Sequence, residues 1–355
     1  MKKLILKIIN KYFLLRLYYN KYNRNKQRKI SKKNSKLFLN NYKYISKKKI
    51  WLIYDFKSSP ISIGDVMHLI LIARYMSFKF HEVKICFIIG ELRKDYYSEK
   101  SEYLDKKIFT NFYKNLEDII SLLKFDNINL EKKNWIEFKN TINTKNFFKL
   151  NYIHDYEKII NRQPNYKNYF IDLNFLLFYD NKNIHHILFN KKQKNFKKIK
   201  INNFKLTKFI TFHCRYTVEN NDRNLTKKEF LFLTKFLKDK FNDHDILIVS
   251  DKIGCDYFKE ISNDLNFKIY FSKDFTNSYV EDGYLILLSD FYFQFKGGGI
   301  HPFAEFSTID FYIHKWAPSN ETFHSKNKSL FFHNEYQVSI EINDIKKVLK
   351  HINIR

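Results

Sequence analysis

Two of the chain's nine arginines, Arg215 and Arg223, stand eight residues apart in a polar stretch that follows the apolar run Phe209-Ile210-Thr211-Phe212-His213-Cys214. A guanidinium binds phosphate through two parallel N–H···O bonds and stabilises the charge that grows on a departing diphosphate. Either arginine could instead close a surface ion pair with Glu219 or Asp222. Three of the seven glycines, Gly297, Gly298 and Gly299, follow the run Phe291 to Phe295 and precede Ile300-His301-Pro302-Phe303. A glycine-poor chain that gathers its glycines at a strand end makes a turn where backbone approaches something closely. Peptide N–H groups in such a turn, with a helix N-terminus behind them, favour an anion. A tight turn without a ligand fits the same residues, and His301 belongs either to a ligand site or to the turn itself. Ser250-Asp251 closes a third apolar run, where a carboxylate takes donors from a base or ribose, or caps the next helix.

A second constellation lies near the start, in Ser62-Ile63-Gly64-Asp65-Val66-Met67-His68. Asp65 and His68, three positions apart in a stretch of helical spacing, can present a carboxylate and an imidazole on one helix face. The alternatives are a helix cap for Asp65 and packing for His68. Asp243-His244-Asp245 imitates a metal-binding D-x-D string but precedes its strand instead of following it. It reads as a turn, and no metal or further cofactor is expected.

Elements of α/β type must position these residues. Ile50 to Phe56 reads as a strand, 63 to 78 as a helix and Val83 to Ile89 as a strand, which is the opening of a parallel sheet. Between 95 and 180 the chain is rich in Lys and Asn, with helical patches at 101 to 124 and 153 to 162 and a strand-like Tyr169 to Tyr179; 181 to 206 reads as a linker. The second half alternates clearly. Strands are expected at Phe209 to Cys214, Asp245 to Ser250, Lys268 to Phe271, Phe291 to Phe295 and Asp310 to His314. Helices are expected from the cap Thr226 to about Phe241, at Cys255 to Leu265, at Tyr279 to Leu288, from Pro302 and at Asn343 to His351. Repeated β-α units imply a parallel sheet with its ligand crevice at the strand carboxyl ends, where the candidate residues collect.

The net charge of +27 suggests nucleic acid, but its distribution argues against that partner. Residues 1–50 hold 17 Lys and Arg and no acid, whereas the remainder carries 47 basic against 37 acidic side chains. A nucleic-acid binder spreads arginines and aromatics over one face. In the first twenty residues Leu4, Ile5, Ile8, Ile9, Phe13, Leu14 and Leu17 recur at helical spacing among Lys7, Lys11 and Arg16, which suits an amphipathic segment on an anionic membrane surface. A disordered basic tail fits the same composition. Residues 1–49 are therefore read as a basic N-terminal segment, 50–200 as a first α/β domain with its linker, and 201–355 as a second. Cys86, Cys214 and Cys255 are far apart and read as buried, reduced packing residues. A cytoplasmic location, peripheral on the inner membrane face, follows as the expectation.

This arrangement resembles the GT-B glycosyltransferases, whose two Rossmann-like parallel-sheet domains face a cleft. Ser62 to His68 is similar to the G-D-V-L-H loop of lipopolysaccharide heptosyltransferases, which implies Asp65 as catalytic base. Gly297-Gly298-Gly299-Ile300-His301-Pro302-Phe303-Ala304 is similar to that family's D-x-G-x-x-H-x-x-A loop, which implies backbone contacts to a donor diphosphate. Phe212-His213-Cys214-Arg215 resembles instead the H-x-R element of fucosyltransferases that use GDP-fucose, which implies diphosphate binding by Arg215. The resemblance implies metal-independent hexosyl or heptosyl transfer from a nucleoside-diphosphate sugar, GDP-fucose-like or ADP-heptose-like, to a surface glycan or lipid-linked acceptor. The first domain would hold the acceptor and the second the donor. Asp65, His68 and Arg215 are the implied catalytic set, and His213, Arg215, Arg223, Ser250, Asp251, Gly297, Gly298, Gly299, His301 and Phe303 the donor set. A sugar-nucleotide epimerase of the same architecture, a glycan-binding relative without catalysis and a nucleic-acid binder stay open.

Overall fold

The computed structural model describes residues 49–55, 63–77, 82–89, 106–123, 128–134, 136–137, 140, 189, 192, 195–216, 224–295, 299–305, 307–316 and 330–334. The chain divides into two compact units, Met1–Ile120 with Lys124–His186, and Ser121–Leu123 with Ile187–Arg355. The N-terminal segment, the stretches 153–162 and 169–179 and the helix expected at 343–351 lie outside the described residues.

In the first unit, β1 (Lys49–Asp55), β2 (Glu82–Ile89) and β3 (Ile128–Asn134) form a parallel sheet in that order. The helix α1 (Ile63–Ser77) joins β1 to β2, and α2 (Lys106–Leu123) joins β2 to β3. Leu52 and Tyr54 lie in register with Ile85 and Phe87, so one face of the sheet is apolar. Tyr113 of α2 meets the Phe87 ring edge-on at 5.9 Å. Strand β3 has no apolar run; it forms because Ile128 and Leu130 fall in register with Val83 and Ile85, while Glu131 reaches across to Lys84 at 2.6 Å.

The second unit holds β4 (Phe209–Cys214), β5 (Asp245–Val249), β6 (Tyr270–Phe271), β7 (Phe291–Phe295), β8 (Asp310–Trp316) and β9 (Leu330–Asn334). All are parallel, in the order β6-β5-β4-β7-β8-β9. Chain order runs outward from β4 to one edge, then returns past β4 and runs to the other. This is the strand order of a doubly wound dinucleotide-binding sheet, and its reversal lies between β4 and β7. The helices α3 (Lys227–Lys240) and α4 (Lys252–Ile261) supply Phe230, Leu233, Leu237, Cys255, Phe258 and Ile261 to the core cluster on the face of Ile210, Phe212 and Phe293. The opposite face carries Thr211, His213, Tyr292 and Gln294, all buried.

Local chemistry sets the helix ends. Thr226 and Glu229 form a reciprocal capping box on α3, and Ser278 and Glu281 form another on α5 (Tyr279–Leu288), each satisfying two backbone donors that the helix leaves open. Asp251 caps α4 by accepting from the Gly254 amide at 2.7 Å, which starts that helix three residues before the expected Cys255. After the glycines the helix α6 (Pro302–Glu305) is a single turn, closed when Ser307 Oγ donates to the Ala304 carbonyl at 2.9 Å.

Gly283 of α5 allows a close approach: a Cβ there would stand 2.4 Å from the Phe303 ring. That ring is held by Phe189 at 4.5 Å and Tyr279 at 5.5 Å, centroid to centroid, so it has no easy retreat. Alanine in a helix interior gains about 1 kcal/mol over glycine, whereas overpacking a filled core costs about 1–3 kcal/mol. Overpacking should win. Gly283→Ala should lower unfolding free energy in urea, and Gly283→Ala with Phe303→Leu should recover part of the loss; a more stable single variant would contradict this packing.

Candidate functional site

In open parallel sheets the ligand crevice forms where neighbouring connections leave the strand ends in opposite directions, and β4 and β7 are the two strands that do so here. The residues at their carboxyl ends are His213, Cys214 and Arg215 on one side and Gln294, Phe295 and the glycine turn on the other. His213 and Gln294 are directly paired in register. Four of the expected donor residues therefore collect at one edge of the sheet, His213 near the end of β4 and Arg215, Ser250 and Asp251 just past the ends of β4 and β5, as do Gly299 and His301 after β7.

His213 is 8 % exposed, and its Nδ1 lies 2.8 Å from the Val249 carbonyl of β5. A carbonyl only accepts, so Nδ1 carries the proton and Nε2 presents a lone pair. Burial drives its pKa down to about 4, and the nearby Arg215 charge pushes the same way, against the carbonyl bond that raises it. The ring is neutral at pH 7. His213 Nε2 and Gln294 Nε2 are both among the buried side-chain atoms of the described residues that have no hydrogen-bond partner.

Arg215 is half-buried just past β4, and its carbonyl accepts from the Leu225 amide at 3.3 Å, which closes the loop that contains Arg223. Arg223, Gly297 and Gly298 lie outside the described residues. Gly299 is exposed, and the Tyr279 hydroxyl donates to its carbonyl at 2.6 Å, tying the glycine turn to the first turn of α5. Burial raises the Tyr279 pKa, which keeps the phenol a donor. The one-turn α6 behind this loop has too few aligned peptides for much of a dipole, so any anion preference there rests on turn amides.

Other expected residues have structural employment. Ser250 Oγ donates to the Cys214 carbonyl at 2.7 Å, locking β5 to β4 at their ends. The Asp251 carboxylate serves the helix cap. Phe303 is fully buried against Phe189, Tyr279 and Gly283, and His301 is buried in the turn that begins α6. In the first unit Asp65 is the third residue of α1 and His68 one turn further, both just beyond the carboxyl end of β1. Asp65 thus stands inside the first helical turn, past the capping position.

Asp243 lies before β5, at the opposite edge of the sheet, paired to Lys208 and, at 2.6 Å, to His244 Nδ1. No group of three or more His, Cys, Asp or Glu arranged to hold a metal occurs among the described residues. A cavity of 180 Å³ lined by Ser289, Asp290, Ser307 and Asp310 also lies at that amino-terminal edge, away from the strand ends that carry His213 and Arg215. All three cysteines are free and buried, with thiols pushed upward, Cys86 to about 12. Gln294 and Tyr279 were not singled out from sequence. For Gln294 the signal was present, as one amide inside the otherwise aromatic run Phe291 to Phe295; for Tyr279 there was none.

No protein-family model and no curated protein sequence matches the chain. Among solved structures it is similar to a glycosyl transferase family 9 protein from Veillonella parvula, at 10% identity and a TM-score of 0.49 over 87% of this chain and 90% of that one. It is similar also to the E. coli heptosyltransferase WaaC with ADP, at 10% and 0.44 over 85% and 97%. A third is the E. coli ADP-heptose lps heptosyltransferase II, at 9% and 0.39 over 85% and 98%.

The depressed His213 pKa links stability to pH. Below about 6.5 the unfolded chain binds a proton that the native imidazole refuses until about pH 4, so this residue's contribution to stability falls as pH drops through that window. The loss between pH 7 and pH 5 should be about 2 kcal/mol from this group. Urea unfolding of the parent and of His213→Gln at both pH values measures it: the variant should lose less on acidification, and equal losses would contradict a neutral, buried imidazole.

Proposed function

We propose that the chain is a metal-independent glycosyltransferase that moves a sugar from a nucleoside-diphosphate donor, GDP-fucose-like or ADP-heptose-like, to a surface glycan or lipid-linked acceptor. One observation carries the reading. The strand order of the second unit sets the arginine-bearing loop after β4 and the glycine turn after β7 on the two sides of the same reversal, where such sheets take nucleotides. Arg215 would bind the donor diphosphate and stabilise it as it leaves, with turn amides near Gly297 to Gly299 sharing the negative charge.

Inverting transfer also needs a base at the acceptor hydroxyl. Asp65, at the carboxyl-end edge of the first sheet, takes that role in this reading, with His68 beside it in sequence on the same helix. The acid-free first fifty residues would hold the enzyme on the anionic inner face of a membrane, close to a lipid-linked acceptor.

Arg215→Ala should weaken binding of a nucleoside diphosphate and lower turnover together, by about 2–4 kcal/mol, because a charged ligand loses its bidentate partner. Arg215→Lys should recover only part, since an ammonium cannot form the fork. Calorimetric titration with ADP and GDP checks this, and parent-like affinity in both variants would return Arg215 to a structural ion pair. Asp65→Asn should leave that nucleotide affinity near normal and cut transfer by roughly 10²–10⁴. A variant that only melts earlier, with transfer intact, would assign Asp65 to the helix.

A further inference from the structure

We propose that His213 and Gln294 together hold one hydroxyl oxygen on the floor of the β4–β7 reversal, which accepts an N–H from Gln294 and donates its own proton to His213 Nε2. The two side chains are 8 % and 0 % exposed, and each Nε2 is without a hydrogen-bond partner. Both residues have their remaining polar atom committed. His213 Nδ1 gives its proton to the Val249 carbonyl at 2.8 Å, which leaves a lone pair on Nε2. The Tyr292 hydroxyl donates to Gln294 Oε1, which fixes the amide so that its two N–H donors face elsewhere. The residues are register partners on adjacent parallel strands, hence on one face of the sheet with backbones about 4.8 Å apart.

A buried acceptor beside a buried donor selects its occupant by chemistry. Phosphate and carbonyl oxygens satisfy the amide but bring no proton for the imidazole lone pair. A cation satisfies the imidazole and repels the amide. A hydroxyl does both, and it has two sources: a water sealed into the sheet, or a sugar or ribose hydroxyl of the donor. The second source rests on the glycosyltransferase reading. In that case His213 serves a hydroxyl of the donor, and diphosphate binding falls to Arg215 and the turn.

The test uses the full chain with ¹⁵N-labelled histidine. The His213 Nε2 resonance distinguishes a bare lone pair from one that accepts a hydrogen bond, and a crystal structure of the same protein locates the oxygen. A hydrogen-bonded Nε2 in ligand-free protein, with an ordered oxygen between the two side chains and no response to nucleotide, supports the sealed water. A bare Nε2 that becomes hydrogen-bonded with GDP-fucose, ADP or GDP supports the ligand hydroxyl, and Gln294→Met should then weaken that compound about tenfold. A bare or protonated Nε2 at pH 7 in both conditions overturns the proposal, as does a resonance unmoved by Gln294→Met. If nucleotides raise the melting temperature while Nε2 stays bare, the proposal fails and the glycosyltransferase reading stands. If none binds and the bridging oxygen is present in free protein, the reverse holds.

Discussion

Burial of β4 on both faces is the constraint on which the second unit depends. All six residues from Phe209 to Cys214 are buried, because β5 and β7 hydrogen-bond to its two edges while helices and further aromatic residues cover its faces. A strand in that position cannot carry a charge cheaply, and its only titratable imidazole stays neutral. The same centrality makes β4 the point of reversal. Whatever follows it, here Arg215, emerges at the crevice.

That geometry separates two kinds of polar group at one edge. Arg215 sits half-buried at the strand end, where a guanidinium keeps part of its surface in solvent. Two residues earlier, within β4, His213 is buried beside Gln294, where only neutral hydrogen bonds are tolerated. The end of the strand sets this division: residues two apart share a face, but Arg215 lies past the last residue of β4 and is only partly covered, whereas His213 lies inside it. A single residue of register shift would turn the imidazole into the aromatic core of Phe212, Phe230 and Phe293 and break both arrangements together.

Much of this is legible in the amino-acid sequence where local signals agree. The runs Phe209 to Cys214, Asp245 to Val249 and Phe291 to Phe295 are too apolar and β-branched or aromatic to be anything but buried strands, and Thr226 with Glu229 and Ser278 with Glu281 announce their helices. Strand β3 was not legible, because Ile128-Asn-Leu-Glu-Lys-Lys-Asn has only two apolar positions and owes its conformation to partners in β2. Strand β9 was missed for another reason: its apolar run Leu330-Phe-Phe is only three residues long and stands among polar neighbours. The α/β class and the strand-end position of Arg215 could be read in advance, whereas the reversal at β4 could not, since it is a property of pairing between distant segments.

The candidate residues divide along the same line. Asp251 looked able to receive a ribose and in the structure caps α4, because a helix separated from its strand by two residues has unpaired amides within reach of that carboxylate. Phe303 belongs to a loop resembling a donor motif, yet its ring fills the space that Gly283 leaves on α5. The last glycine of the run and the segment after it are thereby anchored twice, through Phe303 and through the Tyr279 hydroxyl on the Gly299 carbonyl. An anchor of this kind holds the Gly299 carbonyl against the first turn of α5 and the segment that follows it against the ring of Phe303.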